Sequence, residues 1–551
     1  MIRKFPENLR PFTDEEIPHA MQRIAAHQYF YPIARLIFPG ITPEDTVRDV
    51  LSVKTIEDFQ MRWMYAFNRR VIETTMDSFT FHLSPKIKPG TGYLFVSNHR
   101  DIILDSSLLQ MVLVDSGLPT SMITYGDNLI INQLAEDLAR SNKMFKVVRQ
   151  GNKRELFKNS LVLSDFMRTC VKEGHSCWIA QRNGRTKDGL DQTSQALIKM
   201  LAMSGPRKDP VSNYAELNIV PVSISYEYES CDFLKVRELL MGRLAATAAA
   251  AGASSAAGSA VGAVSSATTS ASISASASAS GSASASASGS ASASGATSAG
   301  SAGTAAHVPQ DAVYVKQEGE DLISIVTGIT QWKGNVHIHV GDPITREQLE
   351  AFYSRAEAEH PARGPELSTG GPARDNDFNA FAAHLCALID KSIADNYKIF
   401  PTHHIAYDLL QETAAGSHGG TAGHGSGAGT VGGHGSEAGA AVGFGSEAGA
   451  AGGLGSAPAS ASAYTAEQKA AFLERLDMLK TGNIPLIPQT ELAASIPFAE
   501  DFPGKKAEIQ QKKQAELLRA HSDLVRELFL RIYANPLFLA HYTSDVSRQA
   551  E

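Results

Sequence analysis

The chain has 551 residues, a formal net charge of −8 at pH 7 and four cysteines. This acidic balance excludes a generally basic nucleic-acid-binding protein, so that any basic surface must be local. None of the cysteines lies in a C-x-x-C pair. So few cysteines in so long a chain predict a reducing compartment, and their spacing gives no sign of a zinc or redox site.

Targeting and membrane-spanning patterns are missing from the sequence. Residues 1–16 carry charges but no apolar stretch of about 7–15 residues, so we expect no secretory signal. No apolar run reaches about 18 residues, so we expect no transmembrane helix. The expected location is the cytoplasm, with peripheral contact to the inner face of the cytoplasmic membrane.

The chain begins with a helical pattern over residues 1–80, in which apolar residues recur at helical spacing. We expect this N-terminal helical region to pack on a core, and contact with lipid is the alternative. From about residue 90, predicted strands alternate with predicted helices. The strands cover residues 93–97, 121–124, 146–148, 177–180 and 219–226, and the helices cover 103–112, 127–139 and 153–171. This alternation predicts an α/β domain with a mixed, mostly buried sheet flanked by helices.

Two segments of biased composition interrupt these patterns. Residues 244–306 are nearly all Ala, Ser, Gly and Thr, and residues 414–463 are nearly all Gly, Ala, Ser and His. Such segments have nothing large to bury, so we expect both to be disordered. We interpret them as expanded surface loops, and interaction segments are the alternative.

Strand patterns resume after the first biased segment, at residues 312–314, 323–327 and 336–340. The segment therefore interrupts one domain, residues 81–345, instead of separating two. A helical extension is predicted over 346–413 and a C-terminal helical region over 464–551, with helices at 466–481 and 504–533.

The strongest chemical signal follows the predicted strand at residues 93–97. The sequence there reads Asn98-His99-Arg100-Asp101, with Asp105 in the helix that comes next. Ligands usually bind at the carboxyl ends of strands in α/β sheets. A histidine beside an aspartate suits a general base, because the carboxylate orients the imidazole and stabilises its charged form. The structural alternative is a helix start capped by Asn98 or Asp101.

Two basic stretches follow. The loop after the strand at 177–180 combines Arg182, Arg185 and Lys187 with two glycines, a composition that suits an anion. Residues 143–158 hold six basic residues and one glutamate, and suit phosphate, a thioester carrier or anionic lipid headgroups. Solvated basic surface is the alternative for both stretches.

The order of these signals is more specific than any one of them. Four segments in order resemble the four ordered blocks of the glycerol-phosphate and lysophosphatidic-acid acyltransferase superfamily. They are the His99 segment, Phe145–Arg149, residues 179–185 and the strand 219–224 around Pro221. Residues 334–344 also look like the last strand of that domain. The resemblance covers residues 80–345 without the biased segment.

The resemblance implies transfer of a fatty acyl chain from acyl-CoA or acyl carrier protein to a hydroxyl of lysophosphatidic acid or glycerol 3-phosphate. His99 would be the base and Asp105 its partner, with no metal and no resident cofactor, since the thioester is a co-substrate. Arg149 would contact the acceptor's phosphate, and Pro221 would shape the acyl site. The other residues implied to bind substrate are Asn98, Arg100, Phe145, Arg182, Asn183, Gly184 and Arg185.

Two departures from the family pattern leave alternatives open. Five residues separate His99 from Asp105 where the family has four, so that either Asp105 or Asp101 is the partner. Asn183 stands where the family usually has Glu. The alternatives are an O-acyltransferase for a phosphate-free lipid and a catalytically silent lipid-binding scaffold.

Overall fold

The structure is a computed structural model that describes residues 2–130, 132–149, 151–206, 208–262, 320–359, 374–418, 463–481 and 515–550. The chain divides into two compact units, Met1–Arg237 with Gln317–Glu551, and Glu238–Lys316. In the second unit the structure describes residues 238–262, which are helical. The sheet and the candidate site belong to the first unit.

A seven-stranded mixed sheet forms the centre of the first unit. Its strands are β1 (Ser78–Leu83), β2 (Leu94–Ser97), β3 (Met122–Gly126), β4 (Met144–Val147), β5 (Cys177–Ala180), β6 (Ile219–Tyr226) and β7 (Asn335–Val340). The spatial order is β1-β7-β6-β2-β5-β3-β4. Strands β6, β2, β5, β3 and β4 run parallel, whereas β7 is antiparallel to β6 and carries β1 parallel to itself. Five carboxyl ends therefore lie along one edge.

Helices flank this sheet and extend it at both ends of the chain. They are α1 (Ile17–Ala26), α2 (Phe30–Ile37), α3 (Pro43–Ser52), α4 (Ile56–Phe59), α5 (Tyr65–Thr75), α6 (Leu104–Asp115), α7 (Gln133–Ser141), α8 (Lys153–Lys172), α9 (Gln195–Leu201), α10 (Pro210–Ala215), α11 (Asp232–Gly262), α12 (Glu320–Thr330), α13 (Arg346–Glu359), α14 (Arg374–Asp395), α15 (Pro401–His418), α16 (Ala466–Thr481) and α17 (Ser522–Ala550). A π-helical turn, Gln60–Met64, joins α4 to α5.

The sheet is covered on both faces, which confirms the predicted α/β class. Leu94 and Val96 of β2 belong to one apolar cluster, whereas Phe95 between them belongs to the other. Every residue of β2 and β6 is buried. Strands enclosed in this way read as continuous apolar runs, and for that reason the sequence pattern predicted them.

The N-terminal helices pack around a separate apolar cluster. Phe30, Phe59 and Trp63 are buried there, and the rings of Phe30 and Trp63 lie 5.1 Å apart. Leu134 of α7 joins the same cluster. The expectation that these apolar residues pack on a core is confirmed.

The strand predicted over residues 323–327 is wrong, because these residues lie inside helix α12. Their β-branched side chains favour a strand by propensity. However, Glu320, Ser324, Thr327 and Gly328 recur at helical spacing and form a buried face. Tertiary packing of that face decides in favour of the helix.

Other differences concern element limits. Strand β1 lies at the end of the region predicted to be helical. Residues 244–262, assigned by composition to a disordered segment, continue helix α11, consistent with alanine's high helix propensity. Residues 263–306, the predicted strand at 312–314, residues 419–462 and residues 504–514 lie outside the described residues.

Candidate active site

The loop between β2 and α6 brings His99 and Asp105 together. Strand β2 ends at Ser97 and α6 begins at Leu104, so that Asp105 lies in the first helical turn. His99 Nδ1 is 2.9 Å from Asp105 Oδ2. The Asp105 side chain is fully buried, and that of His99 is 12% exposed.

Further hydrogen bonds hold the Asp105 carboxylate in place. Its Oδ2 accepts from the backbone N–H of Arg100 at 2.6 Å and of Asp101 at 2.9 Å. Its Oδ1 accepts from the hydroxyl of Tyr226 at 2.9 Å. The His99 ring packs edge-on against Trp178, with ring centroids 6.0 Å apart. The protein thus holds both members of the pair in a fixed orientation.

Asp101 has a different role in the same loop. Its Oδ1 accepts from the backbone N–H of Ile103 at 3.0 Å and of Leu104 at 2.9 Å, and so caps the start of α6. Burial raises the pKa of the Asp101 carboxyl, and the nearby charge of Asp105 raises it further. Of the two aspartates left open by the sequence, the geometry pairs Asp105 with His99.

Asn98 and Arg100 face the protein interior. The Asn98 amide donates to Asp191 and to the carbonyl of Ile224, both at 2.9 Å. The Arg100 guanidinium bonds Asp191 and Glu229, each at 2.6 Å, and the carbonyl of Gly189. Although both residues were predicted to bind substrate, their polar atoms are engaged with the protein.

The loop after β5 lies directly beside the His99 loop. The backbone N–H of Gln181 donates to the carbonyl of Ser97, and that of Thr186 donates to the carbonyl of His99, both at 2.7 Å. Arg185 is buried and donates to Ser324 of α12 at 3.1 Å. Arg182 is half-buried, Asn183 is exposed, and Gly184 has a positive φ of 76°. The structure therefore brings the first and third predicted blocks together.

The second block is farther away. Phe145 is buried and stacks on Phe166 with ring centroids 3.9 Å apart, so it belongs to the core. Arg149 is exposed just beyond β4. Strand β4 is three positions from β2, which is roughly 14 Å at the usual strand spacing. The Arg149 guanidinium lies over Gly126, where an added Cβ would be 2.8 Å from Arg149 Cζ. The Arg149 side chain therefore reaches back across the end of β3.

Pro221 lies within the sheet. It is opposite Val96 in the pairing of β6 with β2, and its carbonyl accepts from the backbone N–H of Gly341 at 3.0 Å. The structure thus gives Pro221 a place in the sheet interior, on a strand enclosed by two neighbours.

Helix α12 lies over the carboxyl edge of the sheet, which the sequence did not predict. Its Asp321 accepts from Asn128, just after β3, at 2.8 Å. Its Ser324 accepts from Arg185, after β5. Its Gly328 approaches so closely that an added Cβ would collide with the Asp101 carboxylate. One helix therefore contacts three of the loops that follow parallel strands.

A buried charged network supports the site from behind, and the sequence reasoning missed it. Glu229 accepts from Arg100 and from Lys235. Asp232, nearby in sequence, accepts from Arg475 at 2.7 Å and from the hydroxyl of Tyr533 at 2.6 Å. No fixed spacing of residues in the sequence predicts such contacts. Tyr226 lies at the end of a predicted strand, but it is the sheet order, with β6 beside β2, that brings it to Asp105.

The described residues hold no group of three or more His, Cys, Asp or Glu side chains that could bind a metal ion. Within the same part of the chain, no helix is long and apolar enough to cross a membrane.

Comparison with known proteins returned little. No family model matches the chain, and no curated protein matches it. Among solved structures, the chain is similar to the crystal structure of the 1-acyl-sn-glycerophosphate (LPA) acyltransferase PlsC from Thermotoga maritima. The identity is 12%, the TM-score is 0.23, and the match covers 63% of this chain and 95% of that chain. A likeness this weak carries no argument about function, and the fold class rests on the sheet described above.

Proposed function

We propose that the protein is an acyltransferase in which His99 is the general base. The observation that supports this most is the pairing of His99 Nδ1 with Asp105, because it leaves Nε2 as the nitrogen that can accept a proton. Among the described residues, none makes a hydrogen bond to that Nε2. A partly exposed imidazole fixed by a buried carboxylate is the arrangement that activates a hydroxyl.

The proposed reaction is a single acyl transfer. Nε2 removes the proton from the acceptor hydroxyl while the hydroxyl oxygen attacks the carbonyl carbon of the thioester. Collapse of the tetrahedral intermediate breaks the carbon–sulfur bond and forms the oxygen ester, and the imidazolium returns its proton to the leaving thiolate. Asp105 stabilises the imidazolium throughout. Backbone N–H groups near Gly184 are our candidates for binding the oxyanion.

Lysophosphatidic acid or glycerol 3-phosphate is the proposed acceptor, with acyl-CoA or acyl carrier protein as the donor. Arg149 is the proposed phosphate contact, because it is an exposed residue whose guanidinium lies at the carboxyl edge, over Gly126 at the end of β3. Arginine suits this task because its planar fork binds phosphate through two hydrogen bonds.

A phosphate-free lipid acceptor is the second candidate, and one observation favours it. Arg185, from the block predicted to hold phosphate, donates to Ser324, and Arg100, predicted to bind substrate, donates to Asp191 and Glu229 inside the protein. An acceptor without phosphate would not require either of them.

We further propose that the first half of α8 rests on an anionic membrane. Phe157 and Leu161 are 56% and 38% exposed, and they lie four residues apart on one side of the helix. Lys153, Arg154 and Lys158 are exposed nearby. Apolar and basic side chains together suit a headgroup surface.

Sedimentation with vesicles containing phosphatidylglycerol tests this membrane contact, and Phe157→Glu is expected to abolish binding. Equal sedimentation of the variant would refute the membrane contact.

The acyl-transfer test uses the full chain with labelled palmitoyl-CoA or palmitoyl carrier protein. Lysophosphatidic acid, glycerol 3-phosphate and a phosphate-free monoacylglycerol are offered side by side. We expect label in a phosphate-bearing acceptor, with a loss of about 10²–10⁴-fold in His99→Ala, the usual contribution of a general base.

His175→Ala is the matched control, since His175 is an exposed histidine at the opposite, amino end of β5. Its rate should equal that of the wild type. Transfer only to the monoacylglycerol would favour the second candidate. If folded protein transferred label to none of the acceptors, the scaffold alternative would replace both.

A further inference from the structure

An open cavity lies beside α7, apart from the residues around His99. It has a volume of about 510 Å³ and is lined by Glu7, Asn8, Ile130, Asn132, Gln133, Glu136, Arg140 and Lys146. Its volume falls in the range of about 300–1,000 Å³ typical of sites for small molecules. Gln133, Glu136 and Arg140 share one side of α7, because they are spaced at three and four residues.

Arg140 is a buried cation without a neutralising partner. It is 8% exposed, and among the described residues no carboxylate forms an ion pair with it. Its Nε donates to the carbonyl of Arg10 at 3.0 Å, and its Cζ lies 4.0 Å from the centre of the Phe12 ring. Its Nη2 is buried, with no acceptor in the described part of the chain.

An unpaired buried charge is costly, and buried charges in proteins are normally paired. Among the described residues, the neighbouring acidic groups form no ion pair with Arg140. Glu136 is held by Lys146 through two hydrogen bonds of 2.7 and 2.9 Å, and Glu7 is exposed at the rim. Burial lowers the pKa of the Arg140 guanidinium. The charge of Glu136 opposes this shift, the charge of Arg10 adds to it, and the charges of Glu16 and Glu7 oppose it, with a net lowering of the pKa.

The groups around Arg140 favour a polar, anionic ligand. Asn132 caps α7 through its Oδ1, which leaves its amide N–H₂ as a donor. The amino end of α7 carries the partial positive charge of a helix terminus. The buried hydroxyl of Tyr125, which is not part of the lining, also has no hydrogen-bond partner among the described residues. Burial raises its pKa, the charge of Glu136 raises it further, and the charge of Arg140 lowers it. Asn8 and Gln133 add two further amides to the lining.

We propose that this cavity binds the phosphate group of a small polar molecule, with Arg140 as the principal anion contact and Asn132 as a second donor. The amides of Asn8 and Gln133 would contact hydroxyl groups of the same ligand. The proposal is independent of the acyltransferase assignment, because none of the lining residues belongs to the His99 site.

Calorimetric titration of the full chain with inorganic phosphate, at constant ionic strength against chloride, tests the proposal. We expect saturable binding that weakens at least about tenfold in Arg140→Gln, the usual loss when a charge-assisted hydrogen bond is removed. Asn132→Asp is the second variant. It keeps a good helix cap but places a negative charge in the cavity, so it should weaken binding while the protein stays folded.

Two control variants locate the bound phosphate. Arg69→Gln removes an exposed arginine that does not line the cavity, and Arg149→Gln removes the cation proposed to contact the acyl acceptor. Arg69→Gln should bind phosphate as the wild type does. In Arg149→Gln the cavity site should remain saturable, whatever phosphate the proposed acceptor site itself binds. The proposal would be overturned by a lack of saturable binding in the wild type, by unchanged binding in Asn132→Asp, or by a loss confined to Arg149→Gln.

Discussion

The two helical extensions join the sheet in different ways. The N-terminal helices are held by an apolar cluster built around Phe30, Phe59 and Trp63. The C-terminal helices reach the site through polar groups, because Arg475 and Tyr533 bind Asp232 and also contact the backbone of Glu229. Since Glu229 holds Arg100, which neighbours His99, the C-terminal extension supports the loop that carries His99. We expect the N-terminal extension to contribute mainly stability.

The largest expected effect comes from removing Arg475, which links the C-terminal helices to Asp232. Arg475→Met would leave Asp232 as a buried carboxylate without its cation, which typically costs about 3–5 kcal/mol. Because the same change loosens Glu229, acyl transfer per folded molecule should fall too. Chemical denaturation and the transfer assay measure the two effects. Unchanged transfer by the folded variant would mean that the C-terminal helices do not support the site.

Disrupting the apolar cluster of the N-terminal helices should affect stability alone. Trp63→Ala removes a buried ring and leaves a cavity, so the free energy of unfolding should fall by about 3–5 kcal/mol. The rate of acyl transfer per folded molecule should stay within about twofold of wild type. Were the rate to collapse while the protein remained folded, the proposed division between the two extensions would be lost.

Lys333 gives a smaller, pH-dependent effect, and it is one of the polar contacts of the N-terminal helices. Its buried Nζ donates to Thr75 of α5 at 2.8 Å, and burial lowers its pKa to about 7. Between about pH 7 and pH 10.4, the unfolded chain binds the proton more readily than the folded protein. Stability should therefore rise with pH in this window.

The limiting slope for one proton is about 1.4 kcal/mol per pH unit. Denaturation at several pH values should show the slope in the wild type and a flatter profile in Lys333→Met. Identical profiles would show that Lys333 stays protonated in the folded protein.

The predictable parts of the fold are those in which burial requires a recognisable run of apolar residues. Strands β2, β5 and β6 are short apolar runs enclosed on both faces, and they were placed within one residue. Helix α12 was not predictable, because its β-branched residues favour a strand until packing against the loops of the site is known. Its buried face includes Ser324 and Gly328, which only the folded structure explains.

The candidate site was predictable in part for a related reason. His99 follows a buried strand, so its position at the carboxyl edge of the sheet can be predicted from the sequence. The choice between Asp101 and Asp105 depends on the backbone path between His99 and α6, which the sequence pattern does not define. Asp191 and Glu229 lie in loops, where no periodicity marks a contact with Arg100.

The measurement that tests the central claim most directly is acyl transfer by Asp105→Asn beside Asp101→Asn. Asparagine is close in shape to aspartate at both positions, but at position 105 it removes the charge that stabilises the His99 imidazolium. We predict a fall of about 10²–10⁴-fold for Asp105→Asn and a rate within about threefold of wild type for Asp101→Asn, since asparagine also caps helices. Equal rates for the two variants, or a larger loss at position 101, would contradict the assignment of His99 and Asp105 as the catalytic pair.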